Sequence, residues 1–362
     1  MKRFTNIIDY AENEKRSFLE LPFTPVDSLI LSQLSYVSLD EIFASQAQIR
    51  IFDLLKAEYF DKMLYFTVSP NSTKRLLYAL CASPRFRNII ISNYVNEVSL
   101  SAIKQFCAMT YLLDDGTAYI AYRGTDGSII GWKEDFLLCF GNPIPSQLAG
   151  IDYLEGVASA CPNIKLRVGG HSKGGNIAVY SASNCSPSTA QRIINLYSHD
   201  APGFSTEFYE SAGYLRIKNV FHNTLPQSSV IGMILGCQDN YRVIASSRKW
   251  FMQHDPFSWR VNGTDFVYAD KLSKSAYYTR KTFNNWLNKM SYEEREAFIE
   301  TLFNVCRATE FDNVYDFIRD WKAKTHSLLK QFKCLSPERK KTVKRVLGSF
   351  AAQAVKSLPN FK

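Results

Sequence analysis

The 362-residue sequence lacks any long hydrophobic run. A helix needs about 18–20 consecutive apolar residues to cross a bilayer, and the longest apolar stretches are far shorter, so the sequence predicts no membrane span. Residues Met1 to Asn6 are soon followed by acidic side chains and lead into no apolar segment of the kind that a secretory signal requires. We therefore expect a cytoplasmic protein.

Cysteine is sparse, and no two cysteines form a C-x-x-C pair. This spacing argues against a zinc site, a redox motif and a disulfide framework. Most of the cysteines lie among apolar neighbours, which is typical of small buried side chains in a reducing compartment. We predict neither a metal nor a cofactor. The eight cysteines are Cys81, Cys107, Cys139, Cys161, Cys185, Cys237, Cys306 and Cys334.

Positive charge is concentrated near one end of the chain. Residues 320–362 contain eleven lysines and arginines but two acidic residues, so this segment alone accounts for the formal net charge of +9. Apolar residues from Val343 to Val355 recur among the lysines and predict a basic amphipathic helix. That helix either packs on the domain with its charged face in water or docks on an anionic membrane. We expect no exposed aromatic residues interleaved with these charges, which argues against nucleic acid binding.

Hydrophobic periodicity divides the chain into three parts. Residues 1–25 are a polar lead-in, residues 26–265 form an α/β domain, and residues 266–362 form a helical extension that includes the basic tail. The first part of the domain, residues 26–99, is mainly helical by its periodicity and could form a cap over a site. No signal in the sequence predicts an oligomeric state.

Strand and helix patterns then alternate. Two β-rich runs joined by Asp114-Asp115-Gly116 predict a hairpin. After it, strand patterns alternate with helices of about ten residues as far as Ala245, which predicts a mostly parallel central sheet covered by helices on both faces. The hairpin would add antiparallel strands and make the sheet mixed.

The most informative motif is Gly170-His171-Ser172-Lys173-Gly174. A strand pattern over 164–168 precedes it, and a helix pattern follows directly. A serine nucleophile on a tight strand-to-helix turn requires small residues two positions to either side, and the helix N-terminus favours an oxyanion beside it. The alternatives are a glycine-rich turn with a solvated serine and a phosphate-binding loop, but neither the Walker nor the dinucleotide-binding spacing of glycines is present.

An acyl-transfer site also needs hydrogen-bond donors for the oxyanion. In a nucleophile elbow, one donor is the backbone N–H of the next residue, here Lys173, and the other comes from a loop after an earlier strand. The candidate loop follows the strand pattern that begins at Tyr119 and contains Gly124 and Thr125. Spacing alone does not distinguish it from an ordinary strand exit.

These motifs resemble the class 3 lipase branch of the α/β-hydrolases. That branch shows aromatic-Arg-Gly-Thr/Ser followed by aromatic-x-x-Asp, matched here by Tyr122 to Thr125 and by Trp132 to Asp135. The chain is also similar to a lipase-like family of Gram-positive bacteria, which shares the Asp27 to Tyr36 run, the elbow and a Gln-His-Asp motif. The resemblance implies an α/β-hydrolase fold. It also implies that Thr125 is the second oxyanion residue, through its N–H and its hydroxyl.

The general base can be sought by elimination, because there are five histidines. In the α/β-hydrolase fold the chain order is serine, acid, histidine, with the histidine after the last strand. His171 precedes the serine and should point away from it, His199 and His222 sit at earlier strand ends, and His326 lies in the basic tail. His254 follows the last predicted strand and lies within the α/β domain, and we predict that it is the base.

The acid is open between two aspartates. Class 3 lipases carry it after the strand that here is Ile217–Phe221, but the next residues, His222 to Pro226, contain no carboxylate. Asp200, at the end of the strand after the elbow helix, could reach the same imidazole. Asp239, on the loop before the last strand, is the alternative.

These residues predict a serine hydrolase that cleaves a carboxylic ester or thioester through an acyl-enzyme on Ser172. The expected substrate is a small ester or lipid-like molecule. The alternative is a non-catalytic protein of the same fold, with a binding or regulatory role and a basic tail that contacts the membrane surface.

Overall fold

The computed structural model describes residues 5–138, 143–236, 240–287, 289–307 and 332–357. The strands are β1 (Gln48–Arg50), β2 (Ile90–Ser99), β3 (Lys104–Leu112), β4 (Ala118–Tyr122), β5 (Leu166–His171), β6 (Ile193–His199), β7 (Phe221–Pro226), β8 (Arg242–Ile244), β9 (Val261–Asn262), β10 (Asp265–Phe266) and β11 (Tyr268–Ala269). The helices are α1 (Ile7–Asn13), α2 (Pro25–Leu34), α3 (Asp40–Phe43), α4 (Phe60–Leu64), α5 (Pro70–Ala82), α6 (Ile129–Leu138), α7 (Pro145–Ala160), α8 (Lys173–Asn184), α9 (Pro187–Ala190), α10 (Thr206–Glu210), α11 (Ala212–Ile217), α12 (Lys274–Leu287), α13 (Tyr292–Arg307) and α14 (Pro337–Ser357).

Nine of these strands form one mixed sheet in the order β1-β2-β3-β4-β5-β6-β7-β8-β11. The pairings from β4 through β8 are parallel, and those on either side of them are antiparallel. The mixed sheet that the hairpin predicts is therefore confirmed, but the sheet is less parallel than expected, because half of its pairings are antiparallel. Short turns join β2, β3 and β4 and permit only antiparallel neighbours, whereas helices separate the strands from β4 to β7.

The predicted hairpin is confirmed, but the preceding segment is less helical than expected. β3 and β4 pair across the Asp114-Asp115-Gly116 turn, with Leu112 opposite Ala118. Residues 26–99 contain α2 to α5 but end in the long strand β2. The β-branched residues of this run, such as Ile90 and Ile91, favour a strand. The division of the chain at residues 25 and 265 stays a prediction.

Side chains of β4 alternate between two cores, as the period of a strand requires. Tyr119 and Ala121 belong to the core shared with α1, α2 and α5. Ala118, Ile120 and Tyr122 belong to the core shared with α7 and α8. The sheet is thus covered by helices on both faces, and its central strands are buried on both sides.

Helix α2 is joined to the segment between α5 and β2 by an ion pair that is shielded from water. Thr24 and Asp27 form a capping box at its N-terminus. Arg85 donates to both carboxylate oxygens of Asp27, at 2.8 and 2.7 Å, and neither side chain is exposed. Removing one partner of such a pair would leave an unpaired buried charge, at a cost of about 3–5 kcal/mol. This pair holds the N-terminal segment against the domain.

The C-terminal helices share a small core of their own. Trp286 of α12, Phe298 of α13 and Val346 of α14 are buried together. Helix α13 also contacts α6, where the rings of Phe136 and Phe303 are 6.0 Å apart. Within the described ranges, no helix combines the length and hydropathy needed to cross a bilayer.

Candidate active site

Ser172 lies at the sharp turn between β5 and α8. Its backbone adopts φ 58° and ψ −135°, a conformation that costs energy for a residue with a side chain. The turn is also crowded: a Cβ at Gly170 would overlap the backbone of Gly174, and a Cβ at Gly174 would overlap that of Tyr122. This geometry is that of the predicted nucleophile elbow, and it explains why glycine flanks the serine on both sides.

Three side chains form a hydrogen-bonded line at this turn. The Ser172 Oγ lies 3.0 Å from the Nε2 of His254, and the Nδ1 of His254 lies 2.7 Å from the Oδ2 of Asp200. His254 ends a short 3₁₀ helix, Trp250–His254, after β8. The three residues are far apart in sequence, and the sheet brings their side chains within hydrogen-bond distance. The His254 side chain is 30% exposed and the Asp200 side chain is fully buried.

Asp200 is held in one orientation by groups of β7 and of the segment that follows it. Its backbone is in the left-handed region, with φ 48°, and its N–H donates to the carbonyl of Thr224 at 2.8 Å. The second carboxylate oxygen, Oδ1, accepts from the Ser229 hydroxyl at 2.5 Å and from the Gly232 N–H at 3.2 Å. The structure therefore brings one of the two candidate acids to His254. The other, Asp239, lies outside the described residues.

His171 contributes to the site in a way that the sequence did not indicate. Its ring packs on that of His254, with centroids 4.6 Å apart, and its Nε2 donates to the His254 carbonyl at 3.0 Å. Burial holds the pKa of His171 well below its ordinary value. The neutral ring therefore carries its proton on Nε2, and its Nδ1 accepts from the Tyr36 hydroxyl at 3.2 Å. The prediction that His171 points away from the serine did not include this packing against the base.

His199 and His222 bond other groups and do not reach the serine. His199 lies at the end of β6, where Ser28 and Thr224 bond its two nitrogens at 3.0 and 2.7 Å, and burial lowers its pKa to about 3. His222 lies 3.2 Å from the side-chain amide of Asn195. His326 lies outside the described residues.

The loop after β4 approaches the elbow closely at Gly124. A Cβ at this position would overlap the Tyr36 hydroxyl and lie 2.6 Å from the carbonyl oxygen of His171. Glycine is therefore required by this close approach, which an ordinary strand exit would not need. Thr125 follows, and its hydroxyl donates to the Oδ1 of Asp135 at 2.6 Å. Burial raises the pKa of Asp135 to about 6.

The model of the Mbeg1-like family matches residues 80–304, which are 225 of the 362 residues. The chain belongs to the Mbeg1-like family. The matched range contains Thr125, Ser172, Asp200 and His254. A search of curated proteins found no match to this Mbeg1-like chain. Its origin in a Gram-positive bacterium stays a prediction.

Solved structures of fungal lipases resemble the Mbeg1-like chain at a distance. The lipase propeptide complex of Rhizomucor miehei is 17% identical and aligns over 64% of this chain and 75% of its own, with a TM-score of 0.35. Lipase II from Rhizopus niveus is 12% identical over 67% of this chain and 84% of its own, with a TM-score of 0.37. These TM-scores are below 0.5, so the similarities do not support an assignment of the site residues.

The sequence reasoning also missed the role of the Lys173 side chain in this Mbeg1-like protein. Lys173 was predicted to contribute its backbone N–H, but its ammonium group is buried and bonds Gln105 and Glu134. Glu134 stands in the charged run Lys133-Glu134-Asp135, which in sequence is typical of a solvated helix face. Its neighbours Gly131 and Leu138 are buried, and this helical spacing of small and apolar residues was the available signal that the face is internal.

Proposed function

We propose that this protein is a serine hydrolase that cleaves carboxylic esters through an acyl-enzyme on Ser172. The observation that carries the proposal is the line of hydrogen bonds from Ser172 through His254 to Asp200, at 3.0 and 2.7 Å. A nucleophile, a base and an orienting carboxylate in this order are the components of nucleophilic acyl transfer.

The reaction would proceed in two halves. The Nε2 of His254 removes the Ser172 proton as the Oγ attacks the ester carbonyl, and Asp200 stabilises the imidazolium that forms. The tetrahedral oxyanion accepts from the backbone N–H groups of Lys173 and Thr125. His254 then gives the proton to the departing alkoxide, which breaks the ester bond. Water, activated by the same imidazole, hydrolyses the acyl-enzyme and restores the serine.

Exposed apolar side chains beside the base favour a lipid-like acyl substrate. Trp250, Phe251 and Met252 lie two to four residues before the base on its 3₁₀ helix and are 69%, 64% and 46% exposed. Large apolar side chains that stay in water next to a reactive group are typical of a surface that receives an apolar ligand. A thioester of the same acyl group would meet the same three reacting groups.

The alternative function, a non-catalytic binding protein of this fold, requires that Ser172 be unreactive. A fluorophosphonate probe distinguishes the two, because the serine Oγ must attack phosphorus and displace fluoride. We expect the wild type to be labelled, Ser172→Ala to be unlabelled, and His254→Ala to label at least about 10³-fold more slowly. Ser101→Ala, which removes an exposed serine, is the matched control. A folded wild-type protein that resists the probe would favour the binding protein.

We also propose that the protein contacts anionic membranes through the basic face of α14. The apolar side chains Val343, Val346 and Phe350 of this helix pack against α12 and α13. Lys341 and Lys344 are exposed. The contact would therefore be electrostatic, through lysines near the lipid surface, and not the insertion of an apolar helix face.

A further inference from the structure

Two consecutive residues of α6 bond the side chains of the two residues proposed to bind the oxyanion. Glu134 accepts from the Lys173 ammonium group at 2.7 Å, and Asp135 accepts from the Thr125 hydroxyl at 2.6 Å. Lys173 is the first residue of α8, and Thr125 lies on the loop after β4. The middle of α6 is therefore a common anchor for both.

The ion pair between Lys173 and Glu134 is fully buried and fully hydrogen-bonded. Their side chains are 1% and 0% exposed. An ammonium group has three donors, and Lys173 has three acceptors: the carbonyl of Gln105 at 2.9 Å, its Oε1 at 2.8 Å, and Glu134. Glu134 in turn accepts from the N–H of Gln105 at 3.1 Å and the N–H of Ser146 at 2.9 Å. This network ties the first residue of α8 to β3, α6 and α7.

Stability alone is a weak reason for such a pair. Transfer of two charges into the interior carries a desolvation cost that the mutual attraction offsets only with good geometry, and well-packed apolar residues of similar volume are often as stabilising. What the pair provides, and apolar residues would not, is a fixed direction for the Lys173 side chain. The backbone N–H of Lys173 belongs to the same residue, so the pair also restrains the backbone that carries this proposed oxyanion donor.

We propose that Glu134 is a positioning residue, which holds the Lys173 N–H in register with the Thr125 N–H so that both meet one oxyanion. The inference rests on the proposed function. It predicts that breaking the pair slows acylation while leaving substrate affinity unchanged, because the oxyanion exists only in the transition state. A purely structural pair would affect the free energy of unfolding and leave the turnover of folded protein unchanged.

The test compares two ion pairs. Glu134→Gln/Lys173→Met removes both charges of the proposed positioning pair. The control, Asp115→Asn/Arg167→Met, removes the ion pair between β5 and the β3–β4 turn, whose side chains are 14% and 9% exposed and which bonds none of the proposed site residues. Turnover of a p-nitrophenyl ester is measured for each, per mole of protein that gives a native near-UV circular dichroism spectrum. We expect kcat to fall about 10²-fold in the first variant with KM unchanged, since a lost oxyanion donor typically costs 10²–10³-fold, and the control to keep its kcat.

Equal kcat in the wild type and the first variant would overturn the positioning role and leave the proposed function intact. A wild type that neither hydrolyses the ester nor reacts with the fluorophosphonate would overturn both. If the first variant does not fold, Glu134→Asp serves in its place, because it keeps the charge but draws the carboxylate back by one methylene. A loss of at least 10-fold in kcat at constant KM is then expected, and unchanged kcat refutes the proposal.

Discussion

Replacement of Asp200 by asparagine is the sharpest test of the candidate site. In the wild type, one carboxylate oxygen accepts from Ser229 and Gly232, and the other faces the Nδ1 of His254 at 2.7 Å. An asparagine must keep its oxygen toward the first two groups, because both are donors. Its NH₂ then faces His254, whose ring must place its proton on Nε2. The Nε2 then presents a proton to the Ser172 Oγ, although a general base must present a lone pair to it.

The expected loss can be worked out from this change of tautomer. The same substitution in a triad of this kind lowers kcat by about 10⁴-fold, which corresponds to about 5.5 kcal/mol of transition-state stabilisation. Folding should change little, because the hydrogen bonds from Ser229 and Gly232 persist. If the asparagine instead turns its oxygen to His254, its NH₂ meets those two donors, and the free energy of unfolding falls by about 1–3 kcal/mol for each group left unpaired.

The assay is ester turnover over a range of substrate concentrations, with Ser172→Ala as the background. Asp255→Asn is the matched control, since Asp255 follows His254 in sequence but bonds Arg248, and we expect it to keep kcat within about 3-fold because it bonds no reacting group. Asp239→Asn tests the second candidate acid. A 10⁴-fold loss in Asp239→Asn together with an active Asp200→Asn would refute the argument.

Two further predictions concern stability and membranes. Burial lowers the pKa of His199 to about 3, so this side chain stays neutral in the folded protein at mildly acidic pH. In the unfolded chain it takes up a proton below about pH 6.5. The free energy of unfolding therefore falls as the pH falls from about 6.5 towards 3. Urea unfolding at pH 7 and pH 5 should show the wild type losing about 2 kcal/mol more than His199→Gln, and equal losses would contradict the assignment. Lys341→Gln/Lys344→Gln should reduce flotation with phosphatidylglycerol vesicles at low salt but leave flotation with phosphatidylcholine vesicles unchanged, whereas undiminished binding to the anionic vesicles would exclude this face of α14.

The sequence could indicate the residues that a local motif or the order along the chain identifies. The elbow has a local pattern, because the crowding at Gly170 and Gly174 depends on residues two positions away. His254 was reached through chain order and the small number of histidines. Both arguments use distances along the chain, and neither needs a knowledge of which side chains meet across the sheet.

The acid and the supporting groups depend on contacts across the sheet, which sequence does not give. Asp200 and Asp239 both satisfy the chain order of serine, acid and histidine. Whether Asp200 can bond His254 depends on the register of β6 against its neighbours. Glu134 was not identified for a similar reason, since its partner Lys173 lies 39 residues away and a charged residue within a helix is usually solvated. The sheet was predicted as too parallel because β2 was taken for the end of a helical segment.

The hydrogen bond from Tyr36 to His171 has a consequence for the boundaries of the functional unit. The family match begins at residue 80 and includes every residue proposed to react. Helix α2 and Tyr36 lie before it, and through His171 they reach the carbonyl of His254. A fragment trimmed to residues 80–304 would keep the reacting atoms and lose the support beneath the base, together with the cover over Tyr119 and its neighbours. The smallest fragment expected to carry out the proposed reaction is therefore longer than the range that the family model matches.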